Sequence, residues 1–285
     1  MSLEALQGRG YGPVSLRISP EKVAEYVAAT GDDGARWRGS APPSFAGALL
    51  FAIAPWFLHS EEVGESTRVL VHTDQTFIWH GPLTIGAAVE VVATVAKVRS
   101  RGGVSFVSFD ATVTTGGVPL LDSSSTFLMG VGPAAEPGPD RGEPEVTRRA
   151  GTPTPPTGGP ATEGLVLGPF PRSASRLDLV RYAAASGDFN PIHFDHEAAR
   201  AAGLDGIVVH GLLMSAWLSH LGAALGSGDA PLADMKVRFR SALRPAEAAE
   251  ATATVTAAGP DGTALTAALS AAGADLVTAT MRVRG

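Results

Sequence analysis

Apolar residues along this chain recur in two spacings, three-to-four and two, and the switch between them happens twice. From Ser19-Pro20 the run E-K-V-A-E-Y-V-A-A-T keeps helical spacing, which predicts a helix with Ser19 as its cap and Pro20 in its first turn. It stops at Gly31-Asp32-Asp33-Gly34. After Pro42-Pro43, residues 45–58 are apolar almost throughout and predict a buried second helix that Pro55 kinks or ends. Four strand-like runs follow, at 67–79, 87–99, 104–114 and 119–129, the last two preceded by Gly102-Gly103 and Gly116-Gly117 turns.

The same order then recurs. Ser175 leads the helical run R-L-D-L-V-R-Y-A-A-A-S, which ends at Gly187-Asp188. Residues 212–225 form a second apolar helical segment, and strand-like runs follow at 235–241, 248–258, 263–271 and 276–284. V-A-E-Y-V-A-A-T-G-D in the first half matches L-V-R-Y-A-A-A-S-G-D in the second, so the chain is an internal repeat. Between the copies, Gly, Pro, Glu, Thr and Arg dominate, which is linker composition. The organisation read from this is an N-terminal domain over 1–130, a linker over 131–163 and a C-terminal domain over 164–285.

Composition narrows the classes. The chain has 285 residues, 45% apolar and 18% charged, enough for a large core. There is no cysteine, which excludes disulfides, thiolate metal sites and a cysteine nucleophile. A formal net charge of −6 argues against nucleic acid as a partner. The opening M-S-L-E-A-L-Q-G-R-G-Y shows no signal-peptide core, and no apolar run is long enough to span a membrane. A cytoplasmic protein with no membrane partner is the expectation.

Chemistry concentrates in one stretch of 28 residues, 186–213: S-G-D-F-N-P-I-H-F-D-H-E-A-A-R-A-A-G-L-D-G-I-V-V-H-G-L-L. Asp188, Asn190, His193 and Asp195 crowd a segment that Gly187 and Pro191 keep out of a helix. His210-Gly211 then opens the apolar helix, where a glycine N–H at the positive end of the helix dipole can face an anionic oxygen. A carboxylate, an imidazole that can take and give a proton, and an oxyanion donor make an acid/base site.

This stretch resembles the motif of the (R)-specific enoyl-CoA hydratases, the MaoC-like hydratase-2 members of the hot-dog fold. The resemblance implies an α+β double hot-dog: two antiparallel sheets, each wrapped around a central apolar helix. It implies that Asp188 and His193 activate water, that Gly211 supplies the oxyanion N–H, and that Asn190 helps to hold water and loop. It carries Ser219 over as a polar residue lining the site, and it leaves His210 to hold the loop near Gly211. The implied reaction is reversible hydration of trans-2-enoyl thioesters, or dehydration of (R)-3-hydroxyacyl thioesters. CoA or an acyl carrier protein is then part of the substrate, with no other cofactor, no metal and a possible homodimer of double hot-dog chains. Two alternatives stand beside it. One is conjugate addition of an amine or hydroxyl nucleophile; the other is a non-catalytic acyl-thioester binding subunit.

The halves differ where the chemistry is. Opposite G-D-F-N-P-I-H the first half has G-D-D-G-A-R-W, and opposite V-H-G-L-L it has F-A-G-A-L. Asp32 and Gly47 survive and both histidines are lost, so the first half is read as degenerate. Its small residues Gly47, Ala48 and Ala52 either leave room for an acyl chain or allow close packing. His59, His72 and His80 have no metal-ligand spacing and are read as structural or surface, His196 as solvent-facing, and His220 as satisfied locally. Lys236, Arg238 and Arg240 alternate along one strand face and, with Arg244, either meet carrier phosphates or are simply solvated.

Overall fold

The computed structural model describes residues 2–64, 69–130 and 161–285. In the first half, β1 (Gly10–Arg17) leads into α1 (Pro20–Thr30), α2 (Ala46–Phe51), α3 (Ala54–Leu58) and α4 (Glu61–Gly64). Then come β2 (Val69–Trp79), β3 (Ala88–Arg101), β4 (Val104–Thr115) and β5 (Val118–Gly130). The second half follows the same plan with β6 (Val166–Arg172), α5 (Arg176–Ser186), α6 (His196–Ala201) and α7 (Gly211–Leu225). It closes with β7 (Leu232–Phe239), β8 (Ala249–Gly259), β9 (Gly262–Ala271) and β10 (Ala274–Val283).

The helix ends follow from their sequences. Ser19 caps α1 by accepting from Lys22 N at 3.1 Å, with Pro20 in the first turn. Ser175 and Asp178 form a reciprocal capping box on α5. Gly31 (φ 69°) and Gly187 (φ 82°) end these two helices in the left-handed conformation that a side chain disfavours. The chain therefore turns the same way into Asp32 and into Asp188.

Strands alternate buried and exposed positions, so one face of the sheet is apolar and covers the helices. In the second half that face is floored with small residues, Ala249, Ala251, Ala253, Ala267 and Ala279. They leave room for α7, whose side chains are buried nearly all round. This is the double hot-dog arrangement. Its two five-stranded halves do not stay separate sheets. β2 pairs antiparallel with β7, and a single ten-stranded sheet runs β1-β3-β4-β5-β2-β7-β10-β9-β8-β6. Across the same junction α1 packs on α5, with Tyr26 and Tyr182 ring centroids 5.9 Å apart and Lys22 Nζ donating to Ala184 O at 2.6 Å.

Two readings change. β1 and β6 were not foreseen, because each carries a Gly-Pro pair (Gly12-Pro13, Gly168-Pro169) that reads as a turn; both are edge strands, where proline costs no ladder bond. The single helix over 45–58 is a 3₁₀ turn (Pro43–Phe45) and two short helices that break at Ala52 and Ile53, with Pro55 in the first turn of α3. The linker reading falls largely on residues 131–160, which lie outside the described residues. No helix among the described residues is long and apolar enough to cross a membrane.

Candidate active site

The loop after α5 is built to bury polar groups. Asn190 caps a 3₁₀ turn over Pro191–His193, its Oδ1 accepting from Ile192 N at 3.3 Å. Asp195 caps α6, its Oδ1 accepting from Glu197 N at 2.8 Å and Ala198 N at 3.1 Å. Asp188 and His193 are turned inward and buried, as is His210. One oxygen or nitrogen of each of these three lies within 4.8 Å of the others. The structure therefore brings together residues that are 22 positions apart in sequence.

Hydrogen bonds decide what each group can do. Nδ1 of His193 lies 2.8 Å from Val208 O. A carbonyl only accepts, so Nδ1 carries the proton and Nε2 keeps its lone pair. Nε2 of His210 lies 3.2 Å from the backbone oxygen of Asp188, which makes it the donor and leaves Nδ1 as a buried acceptor without a protein partner. The two rings stack, with centroids 3.7 Å and planes 24° apart. Asp188 Oδ1 accepts from Asn190 N at 3.3 Å, and the other carboxylate oxygen remains for a reactant.

Burial sets the protonation states. It holds His193 below the ordinary histidine value of 6.5, with the nearby Asp188 charge opposing. It pushes the Asp188 carboxyl above 3.8, against the pull of His193, the Asn190 N–H and the imidazole of His59 from the first half. His210 is driven well below 6.5 by burial and then by His193. Both imidazoles are thus neutral at neutral pH, and His193 Nε2 is a free base.

A metal fits this trio poorly. Nearly parallel rings aim their in-plane lone pairs side by side, whereas a tetrahedral ion needs them to converge about 2.0–2.1 Å away. The third element is Gly211, first residue of α7, whose N–H has no acceptor within the helix. The edge of Phe239 closes over it: a Cβ on Gly211 would lie 3.2 Å from Cε1 of that ring.

Among the residues expected at the site, Asp188, His193, His210 and Gly211 come together, and half-buried Asn190 holds the turn between them. Ser219 does not join them. Its hydroxyl donates to Ala216 O at 2.8 Å, and eight residues of helix put it about 12 Å from Gly211. His220 is also not satisfied within its own helix; it faces Asp32 of the first half. The space beside Gly47 is filled by Leu212 and the hydroxyls of Tyr26 and Tyr182, which favours close packing over an acyl channel there. Lys236 and Arg238 are exposed on the outer face of the sheet, Arg238 lies 3.5 Å from Asp74, and Arg240 bonds to Thr278. Sequence reasoning missed Val208 as the anchor of His193, Phe239 as the cover of Gly211, and Phe51 against Gly187. Phe239 and Phe51 come from distant segments, and Val208, though inside the same 28-residue stretch, acts through a backbone carbonyl that has no residue signature.

Comparison with known proteins bears on the same loop. A family model described as a MaoC like domain matches residues 161–267, which includes the whole site. A second, described as a FAS1-like dehydratase domain region, matches residues 5–123. The chain thus joins a FAS1-like dehydratase region to a MaoC-like domain. It is an enzyme of the hydratase/dehydratase class. A curated relative from Mycobacterium tuberculosis, 3-hydroxyacyl-thioester dehydratase X, is 26% identical over 232 residues, which span 80% of this chain and 70% of that protein. A solved MaoC-like dehydratase superposes with a TM-score of 0.81 at 22% identity, covering 99% of both chains. A solved M. tuberculosis structure, described as a double hotdog fold, gives a TM-score of 0.68 at 13% identity over 98% of this chain and 96% of that one.

Proposed function

We propose that this MaoC-like enzyme hydrates trans-2-enoyl thioesters reversibly, and in the opposite direction dehydrates (R)-3-hydroxyacyl thioesters, carried by CoA or an acyl carrier protein. The observation that supports this best is the tautomer of His193. With Nδ1 fixed on Val208 O, a neutral Nε2 stands beside a carboxylate that has an oxygen free. Water held between them loses a proton to Nε2 as its oxygen bonds to the β-carbon. Charge moves to the thioester oxygen, where the Gly211 N–H at the start of α7 stabilises it. The α-carbon then takes a proton from the imidazolium or through the relayed water. Elimination runs the same steps backwards. Neither direction changes an oxidation state overall, so the residues present suffice. The relative named as a 3-hydroxyacyl-thioester dehydratase supports the substrate class.

The test is loss of enoyl-thioester absorbance with C4 to C10 trans-2-enoyl-CoA, with the product analysed for configuration. Turnover that yields (R)-3-hydroxyacyl-CoA is expected. Turnover only when an amine replaces water would contradict the reading.

A further inference from the structure

The half that lost the histidines keeps its aspartate, and that carboxylate is fully engaged. Trp37 stands where the other half has His193, and its Nε1 donates to Asp32 Oδ2 at 2.9 Å. An indole N–H only donates, so the residue in the place of His193 cannot take up a proton from water. Asp32 Oδ1 accepts from Asp33 N at 2.8 Å. The same Oδ2 that holds Trp37 lies 3.5 Å from Nε2 of His220, and both side chains are nearly buried. Buried Arg172, at the end of β6, is in electrostatic reach of both. The loop makes two further bonds near the far end of α7: Arg36 Nη2 donates to Gly226 O at 3.0 Å, and Ser40 Oγ lies 3.2 Å from Asp229 Oδ1.

These contacts matter because of what α7 is. Its large side chains pack on an alanine floor, and their burial stabilises the helix without a preferred direction. Such packing holds the helix in place but says little about its rotation or its position along its axis. A buried polar contact specifies register where apolar packing does not. Ser219 bonds back to its own helix, whereas the buried Nε2 of His220 makes no hydrogen bond and lies 3.5 Å from the Asp32 carboxylate outside it. His220 lies nine residues beyond Gly211, about 13 Å along a rigid helix.

We propose that Asp32 is a positioning residue for the site in the other half: through His220 it sets the register of α7, and so the place of the Gly211 N–H. The duplicated aspartate is then retained as a clamp on the helix that serves the surviving site. This rests on the hydratase reading of Asp188, His193 and Gly211.

The experiment compares Asp32→Ala, Asp32→Asn, His220→Leu and the Asp32→Ala/His220→Leu double variant with wild type, by steady-state kinetics and by hydrogen exchange of α7. A misplacement of about 1 Å at the oxyanion donor lowers kcat by roughly ten- to a hundredfold in Asp32→Ala, with KM changed by less than about twofold. Asp32→Asn, which keeps an acceptor oxygen, recovers most of that loss. The double variant is no worse than either single one, as expected of residues acting through one contact. Amides of the first turn of α7 exchange faster in Asp32→Ala, although the substitution lies at the other end. Three results would each overturn the proposal: unchanged kcat, a loss that only tracks the folded fraction, or faster exchange confined to residues 220–225. If the wild type turns over no enoyl or hydroxyacyl thioester, the hydratase reading fails by itself, and the exchange measurement still decides the register claim.

Discussion

His193 is set up as a base by the division of labour between its nitrogens: Nδ1 is held on Val208 O and Nε2 is left free. His193→Ala is expected to lower kcat by about 10²–10⁴-fold, the usual contribution of a positioned acid/base group, as measured by enoyl-thioester absorbance. The pH profile follows from the directions of the shifts. Water activation needs a neutral imidazole, and burial holds His193 below 6.5. The acid limb of kcat/KM is therefore expected below pH 6.5, and a limb above that value contradicts the assignment. Asp188 gives a stability outcome of opposite sign to its role in activity. Its folded pKa is raised by burial, so the favourable protonated form is populated below its unfolded value and lost as pH rises through the folded one. At neutral pH the buried carboxylate costs stability. Asp188→Asn, which keeps an acceptor for Asn190 N, is expected to melt above wild type at pH 7 while losing turnover; a lower melting temperature contradicts this. The sequence made these residues visible because a dense polar run next to Gly and Pro has no reading as a helix face. It could not show Val208 O as the partner of His193, since a backbone carbonyl has no residue signature.

The start of α7 is where an element becomes part of the site. Gly211→Ala gains up to about 1 kcal/mol of helix propensity. Its Cβ, however, would sit 3.2–3.3 Å from Phe239 and displace that ring by a few tenths of an ångström. Melting near wild type with kcat down about tenfold or more is the expected outcome, since oxyanion geometry is less forgiving than stability. Adding Phe239→Leu should recover part of the loss; no recovery places the fault elsewhere. The matching element of the first half behaves differently. Ala46 stands where α7 is preceded by His210, and Asp32 is already held by Trp37 and by the Asp33 N–H. Trp37→His in a His193→Ala background is therefore expected to leave turnover at the His193→Ala level. The capped helices α1 and α5, and α7 as an apolar run of helical length, are legible from sequence. The break between α2 and α3 was only half legible: Pro55 marked a disturbance, but not that the helix restarts at Ala54. Strands β1 and β6 were hidden because their Gly-Pro pairs imitate turns.

At the scale of the molecule, the repeat was legible from matching strings, but the fusion of its halves was not. Pairing of β2 with β7, with Phe77 opposite Met235 and Thr76 opposite Lys236, joins segments some 160 residues apart, and no local pattern specifies such a register. The cross-half pair of Asp32 and His220 was hidden for the same reason. Because the β2–β7 ladder and the α1–α5 packing are shared, residues 1–130 and 161–285 produced as two chains are expected to assemble one-to-one on size exclusion. Independent, separately stable halves would contradict the single sheet. Acid should also open the fold early. Burial lowers His193, His210 and His220, and takes His72 to about 4, so stability present above pH 6.5 is lost as pH falls through each group's range. Denaturant midpoints that do not decline between pH 7 and pH 5 would contradict that. The most direct test of the whole remains turnover of trans-2-enoyl-CoA by wild type beside Asp188→Asn and His193→Ala. Loss of the enoyl band in wild type alone, with an (R)-3-hydroxyacyl product, is the expected result. Equal turnover in all three proteins would remove the site from the loop between α5 and α7.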